Sequence, residues 1–317
     1  FVFRRSLLGI WTFEQILDNP NESLGGRFGD RVALSETLAF ITAGGETNDT
    51  GGTGTVWSSV IGREGEQQIV HTPRVRGDVL GMFGGGLDYD GGVLVIGAAD
   101  SVVGGVACGQ AHVYSSDDEF PVHVQTINVP NDWNVDTAKF GFSVAVDVDD
   151  GDSTLLVGTP SYNPSITGGA VSYVLDTTWN QQDLLVGSDP QSVQLLGYSV
   201  ALMGSRAVLG APYGGLALSG HAIVFEYSPS AEEWRVDATL NPEMAAVFDF
   251  SGGSVAVGPI GVVVGSQFLD TGLGDQTGGV FAYFHNNDGW QSDTRPVASI
   301  LGSRHVVENP TWTDESQ

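Results

Sequence analysis

Lysine is almost missing from this chain. Among 317 residues Lys139 is the sole example, and Lys and Arg together number 12 against 38 acidic side chains, a formal charge of −26. A charge of that sign and size repels phosphate backbones and anionic membrane surfaces, and no basic cluster offsets it, so nucleic acid is not an expected partner. Cysteine is represented by Cys108 alone, which excludes an internal disulfide framework. Long apolar runs are missing too: Gly261-Val262-Val263-Val264-Gly265 falls far short of the roughly 20 residues that a membrane span needs. Charged residues make up 16% and apolar ones 41%, which excludes both a disordered chain and a charge-rich coil. Catalytic signatures are lacking as well, with no Gly-x-Ser-x-Gly elbow, no His-Glu-x-x-His, no phosphate loop and no Cys-x-x-Cys. Acidity with so little Lys suits either a high-salt setting or an ordinary acidic extracellular surface. The opening residue is Phe rather than Met, as in a processed or partly represented chain.

What is present in excess is glycine, 45 residues, about twice the usual share, and it is periodic. A small motif recurs as Phe28-Gly29, Phe83-Gly84, Phe140-Gly141, Leu196-Gly197 and Gly252-Gly253, the second residues lying 55, 57, 56 and 56 positions apart. Near-identical strands follow, such as Ser143-Val144-Ala145-Val146, Ser199-Val200-Ala201-Leu202 and Ser254-Val255-Ala256-Val257. A second apolar run then ends in Gly and small residues, as in Val157-Gly158-Thr159-Pro160 and Leu209-Gly210-Ala211-Pro212. A third strand opens on a small residue after a Gly-rich loop. A fourth carries Trp179, Trp234 or Trp290, with Trp11 three periods before Trp179 and with Gln67 and His123 at the two skipped positions. Each unit reads as four short strands bounded by Gly, Asn, Asp and Pro, with no helical period. Tandem four-stranded units of this length predict an all-β protein, a β-propeller, because one such sheet cannot cover its two apolar faces unless neighbours stack on it.

Phe140-Gly141-Phe142-Ser143-Val144 with Val157-Gly158-Thr159-Pro160, and Gly197-Tyr198-Ser199-Val200 with Gly210-Ala211-Pro212, resemble the FG-GAP repeats of propellers related to the head of integrin α chains. The resemblance covers nearly the whole chain. On this reading residues 1–317 form one domain. A partial N-terminal blade spans 1–17, where Phe1-Val2-Phe3-Arg4-Arg5 and Trp11-Thr12-Phe13-Glu14-Gln15-Ile16-Leu17 look like the last two strands of a repeat. Repeats then follow at about 28–82, 83–139, 140–195, 196–251 and 252–300, with a closing segment at 301–317. That arithmetic favours six blades. Seven are common in the family and would need roughly one more repeat length.

Such repeats often hold Ca²⁺ in an Asp-rich hairpin between the first two strands. Asp147, Asp149, Asp150 and Asp152 form the one strongly acidic hairpin here, and alternating carboxylates in a Gly-containing turn suit a hard cation. The stretch is shorter than the family's calcium pattern, and Thr154 and Leu155 stand where its closing acidic ligand would come, so one bound Ca²⁺ and a solvated acidic turn are both open. Arg76-Gly77-Asp78 spells a tripeptide that some integrins bind, and also reads as a plain turn. Asn21-Glu22-Ser23 and Asn48-Asp49-Thr50 are glycosylation sequons in polar loops. His112 and His221 fall on third strands and read as structural, partly buried residues.

Sequence variation between units concentrates in the loops leading into the third strands, at 44–54, 98–109, 161–169, 213–220 and 267–279. The expected function is therefore a non-enzymatic interaction, adhesion or assembly module outside the cell or on its surface, binding protein or glycan through one face. The resemblance implies adhesion; composition does not. Two alternatives stand beside it, a secreted carbohydrate-active enzyme with channel-lining carboxylates and a structural subunit of a larger extracellular complex.

Overall fold

In the computed structural model the described residues are 1–21, 26–47, 52–63, 67–70, 81–116, 120–130, 137–149, 153–161, 168–187, 195–215, 218–242, 248–269, 278–286 and 289–292. The segment 301–317, expected to close the ring, lies outside them. The strands begin with a hairpin, β1 (Val2–Arg5) and β2 (Trp11–Gln15). Five four-stranded antiparallel sheets follow in chain order. The first sheet is β3 (Phe28–Leu34), β4 (Leu38–Thr47), β5 (Thr53–Val60) and β6 (Gln67–Ile69). The second is β7 (Phe83–Asp90), β8 (Val93–Ala98), β11 (Gln110–Ser115) and β12 (Val122–Asn128), with a small ribbon of β9 (Val102–Val103) and β10 (Val106–Ala107) between its middle strands. The third is β13 (Ser143–Asp147), β14 (Thr154–Thr159), β15 (Gly169–Leu175) and β16 (Trp179–Leu185). The fourth is β17 (Ser199–Met203), β18 (Arg206–Ala211), β19 (His221–Ser228) and β20 (Glu233–Leu240). The fifth is β21 (Ser251–Gly258), β22 (Gly261–Ser266), β23 (Gly279–Asn286) and β24 (Gly289–Ser292). No α-helix occurs among the described residues, and none is long and apolar enough to cross a membrane.

The middle strands of the second, third and fourth sheets are apolar on both sides because each of these sheets lies between two others. Four separate apolar layers result, one at each junction between successive sheets. Phe40 and Val56 meet Phe83, Leu94 and Tyr114, and Val95 and Val113 meet Leu155, Val157, Tyr173 and Trp179. Further along, Leu156 and Leu185 meet Leu209, Phe225 and Trp234, and Val208 and Val224 meet Val262, Val264 and Tyr283. Each fully buried side chain of this size contributes about 1.5–3 kcal/mol. The first strands of all five sheets line one central cavity of about 320 Å³, to which they bring Arg31, Asp88, Val144, Val200 and Val255 among others.

At the second-strand glycines the backbones of successive sheets almost touch. A Cβ on Gly97 would lie 1.8 Å from the Gly141 carbonyl oxygen, and one on Gly210 would lie 2.0 Å from that of Gly252. The second-strand Gly of the repeat is thus required by close approach. Ser143 and Ser199 complete the contact, each donating its hydroxyl to the carbonyl oxygen of the next sheet's glycine, Gly197 at 2.8 Å and Gly252 at 2.9 Å.

Two register assignments change. In the fifth repeat the structural counterpart of Gly141 and Gly197 is Gly252, not Gly253, because Gly252 has φ +90° and the Phe250 carbonyl closes the turn onto Gly253 N–H. His123 also does not stand where the other repeats place Trp. It pairs with Tyr114 as Gln181 pairs with Tyr173, and Gln67 likewise pairs with Ser59. The β11–β12 connection differs in length, which displaces the count by two residues.

The N-terminal hairpin repeats the register of a third and fourth strand. It shifts register between Val2 and Phe3 and sets Trp11 opposite Arg5, as β15 shifts between Ser172 and Tyr173 and sets Trp179 opposite Leu175. The stack ends in open apolar surface: Val32 and Leu34 on β3 are 64% and 59% exposed, and Val263 and Phe284 on the fifth sheet are 40% and 39% exposed.

Candidate functional site

The turns that carry the Phe-Gly motif gather on one face. In each, a carbonyl accepts from the N–H three residues on: Arg27 from Asp30, Met82 from Gly85, Lys139 from Phe142, Leu195 from Tyr198 and Phe250 from Gly253, at 2.8–3.3 Å. The third residue is glycine with φ between +82° and +91°, the geometry of a type II turn, which only Gly adopts without strain. The second residue is driven inward, and Phe83, Phe140, Leu196 and Ser251 are fully buried.

The first residue of every turn is also left-handed and is never glycine. Arg27, Met82, Lys139, Leu195 and Phe250 have φ of +51°, +52°, +60°, +58° and +53°. A side chain in that conformation costs about 1–2 kcal/mol. Five such residues stand at equivalent places, one in the turn that opens each sheet, in a chain that uses glycine freely elsewhere.

The loops leading into the third strands reach the same face. Gly45 N–H bonds the Gly26 carbonyl, Asp100 N–H that of Gly81, and Phe268 N–H that of Asp249, while Gly109 bridges to Phe140 and Gly220 to Ser251. Arg27, Arg31, Met82 and Phe142 line a mouth of about 270 Å³ there. Arg27 is held by Asp30 at 3.1 Å and Lys139 by Asp100. Phe142 of the mouth pairs with Tyr198 at 4.8 Å, and in the fifth sheet's turn Phe250 pairs with Tyr213 at 4.7 Å and with Phe268 at 5.4 Å.

The opposite face, at the first-to-second-strand hairpins, is acidic. Its carboxylates tie sheets together. Asp88 accepts from Val146 N–H at 2.8 Å, Asp90 from Val148 N–H at 2.7 Å and Asp147 from Gly204 N–H at 2.8 Å. Burial pushes the Asp88 carboxyl up to about 6 against the bonds from Val146 and Tyr89, and the charges of Asp90 and Asp147 push the same way.

Of the expected cation ligands, Asp147 is committed to Gly204, Asp149 is exposed, and Asp150 and Asp152 lie outside the described residues. Among the described residues no group of three or more His, Cys, Asp or Glu side chains is arranged to hold a metal. Asn21 is exposed and its N–H bonds the Asn19 side chain at 3.0 Å. Its partner Ser23, the whole of Asn48-Asp49-Thr50, and Arg76-Gly77-Asp78 lie outside the described residues, as do 162–167, 216–217 and 270–277 of the loops. His112 and His221 are buried.

Sequence reasoning missed two sets of residues. One is the left-handed turn residues; their signal is that the residue before each Phe-Gly pair is large or charged. The other is a set of acceptors on the fourth strands. Gln125 takes Trp179 N–H at 2.9 Å, Asp183 takes Trp234 N–H at 2.9 Å, and Gln182 and Asp237 take the indole N–H groups of Trp234 and Trp290. Their signal is a polar residue on the fourth strand a little over fifty positions before each Trp. A scan of protein-family models and a search of curated proteins returned no match to this chain.

Proposed function

We propose that the protein is a non-enzymatic recognition module of the extracellular space or cell surface, which binds protein or glycan through the face bearing the left-handed turns. The observation that carries this reading is the left-handed set of Arg27, Met82, Lys139, Leu195 and Phe250. Backbone strain held at equivalent places on one face is the mark of side chains kept for contact rather than for folding. The Phe142–Tyr198 and Tyr213–Phe250 pairs supply rigid amphipathic surface of the kind that recurs at binding hot spots.

The same proposal takes the five sheets as blades of a propeller around the shared cavity, with β1 and β2 as the outer strands of a sixth and 301–317 as the expected source of its inner ones. Gln15 supports the placing of the hairpin, because its side chain accepts from Gly62 N–H at 2.9 Å as Asp183 does from Trp234. The carbohydrate-active alternative is less favoured. Asp88 is the one carboxylate among the described residues lining the central cavity, no aromatic side chain lines it, and glycoside cleavage needs a carboxyl pair.

The test compares capture of ligands from a glycan array and a surface-protein library by the wild type and by a variant carrying Met82→Gly, Leu195→Gly and Phe250→Gly. The expected result is a ligand retained by the wild type, lost by the variant, with no fall in thermal midpoint because glycine relieves the strain. Equal retention by both, or turnover of a polysaccharide by the pure protein, overturns the reading.

A further inference from the structure

One pair of titratable residues in the second sheet belongs to neither face. His112 on β11 is fully buried, at a place where the other sheets are apolar: it pairs with Ile96 as Val171 pairs with Val157 and Ile223 with Leu209. Its Nδ1 lies 3.2 Å from Thr126 Oγ1, and the same hydroxyl lies 3.1 Å from His123 Nε2. The imidazole rings sit 5.8 Å apart, with Phe83 against one and Tyr114 against the other. His112 Nε2 is buried with no hydrogen-bond partner.

Only one arrangement of protons suits this chain, and it is neutral. His112 Nε2 has no partner, so the ring's single proton sits on Nδ1 facing the Thr126 oxygen, and the Thr126 hydroxyl is left to donate to His123 Nε2. That hydroxyl then accepts from His112 Nδ1–H, and His112 Nε2 is left bare. A further proton on His112 Nε2 buries an N–H against Phe83 with no acceptor. A proton on His123 Nε2 turns that nitrogen into a donor, so the Thr126 oxygen accepts from both rings and its own O–H loses the acceptor it had. Either way a donor is left unpaired at the edge of an apolar layer, which costs the desolvation of that group in full.

We propose that the His112–Thr126–His123 chain is an acid-sensitive latch, which holds the outer strand β12 on β11 when neutral and releases it when protonated. β12 suits this role because it is the outermost strand of its sheet, paired on one side, and its Val122 and Val124 are 67% and 63% exposed. Burial lowers the His112 imidazole to about 3, with the charge of His123 adding to it, and burial lowers His123 too. From β11 itself Tyr114 faces the pair, and from β7 come Phe83 and, further off, the phenol of Tyr89. From the first sheet come Phe40 and Val56. None of these is charged at neutral pH. Asp117, Asp118 and Glu119 stand in the β11–β12 connection and lie outside the described residues.

The sign follows from linkage. A histidine whose folded value is depressed binds its proton in the released state first, so the latch holds above about pH 6.5 and loses hold progressively toward the folded value. Amide hydrogen exchange tests this. Protection of β12 amides in the wild type should fall about 15-fold between pH 6.5 and pH 5, the slope approaching a factor of ten per pH unit only below pH 6.5, while β20 amides change little. His112→Val, which installs the residue of the third sheet, should abolish the β12 fall. Equal changes in β12 and β20, or a fall that persists in His112→Val, overturn the proposal. Should that variant fail to fold, NMR titration of the wild-type imidazoles decides: His112 is expected to remain neutral at pH 5, and a His112 midpoint near 6.5 overturns it.

Discussion

Gly97 shows how little room successive sheets leave between them. Its Cα faces the Gly141 carbonyl so closely that even a methyl group has nowhere to go. Gly97→Ala is expected to cost about 1–3 kcal/mol or more, the range for overpacking a tight site, and to lower the midpoint of a urea titration. Gly104, which has open space where a Cβ would stand but φ +57°, is the control: Gly104→Ala should cost only about 1 kcal/mol, from backbone strain alone. If both variants lose the same stability, close approach is not what holds Gly97 in place. The spacing of these glycines was legible in the sequence. Their division into turn glycines and contact glycines was not, because a glycine kept for φ and one kept for clearance look alike until the neighbouring backbone is known.

At the scale of the strand, the fourth strands do more than finish a sheet. Gln125 both accepts from Trp179 N–H and donates to its carbonyl, each at 2.9 Å, so β12 is tied across to the start of β16. Gln125→Ala leaves a buried backbone donor unpaired, at an expected cost of about 1–3 kcal/mol. Trp179→Ala keeps both backbone groups that Gln125 bonds, so in a double-mutant cycle the two costs should add. Strong coupling would mean that Gln125 acts through the indole and not through the backbone. The four-strand rhythm, the first and second strands and the places of Trp179, Trp234 and Trp290 were all readable from the repeat. The counterpart of those Trp residues in the second sheet was miscounted, because a register shift between Val113 and Tyr114 and a connection of different length are invisible to a fixed period. The acceptors escaped notice because each works on a partner in the following unit, beyond any local pattern.

Over the whole molecule, four junction cores and a common cavity replace a single interior, and the two ends of the stack expose Val32, Leu34, Val263 and Phe284. The N-terminal hairpin belongs to the first of these ends through Gln15 and Gly62. Removal of residues 1–15 is expected to lower the thermal midpoint by a few degrees, since about 1 kcal/mol shifts a chain of this size by roughly 2–4 °C. An unchanged midpoint by calorimetry would show that the hairpin contributes nothing to the stack. The face assignments were only half legible. Sequence placed the variable loops together, but the left-handed residues beside them needed the dihedral angles, and the pairing of Asp88, Asp90 and Asp147 with neighbouring backbone needed three dimensions. The link from Gln125 to Trp179, and from Asp183 to Trp234, has a further consequence for ancestry. At the three seams from the second to the fifth sheet an acceptor on one fourth strand meets a Trp donor on the next, so loss of the third or the fourth unit would still set an acceptor against a Trp at the new join. Shortening by a whole inner module therefore keeps this link without a new residue.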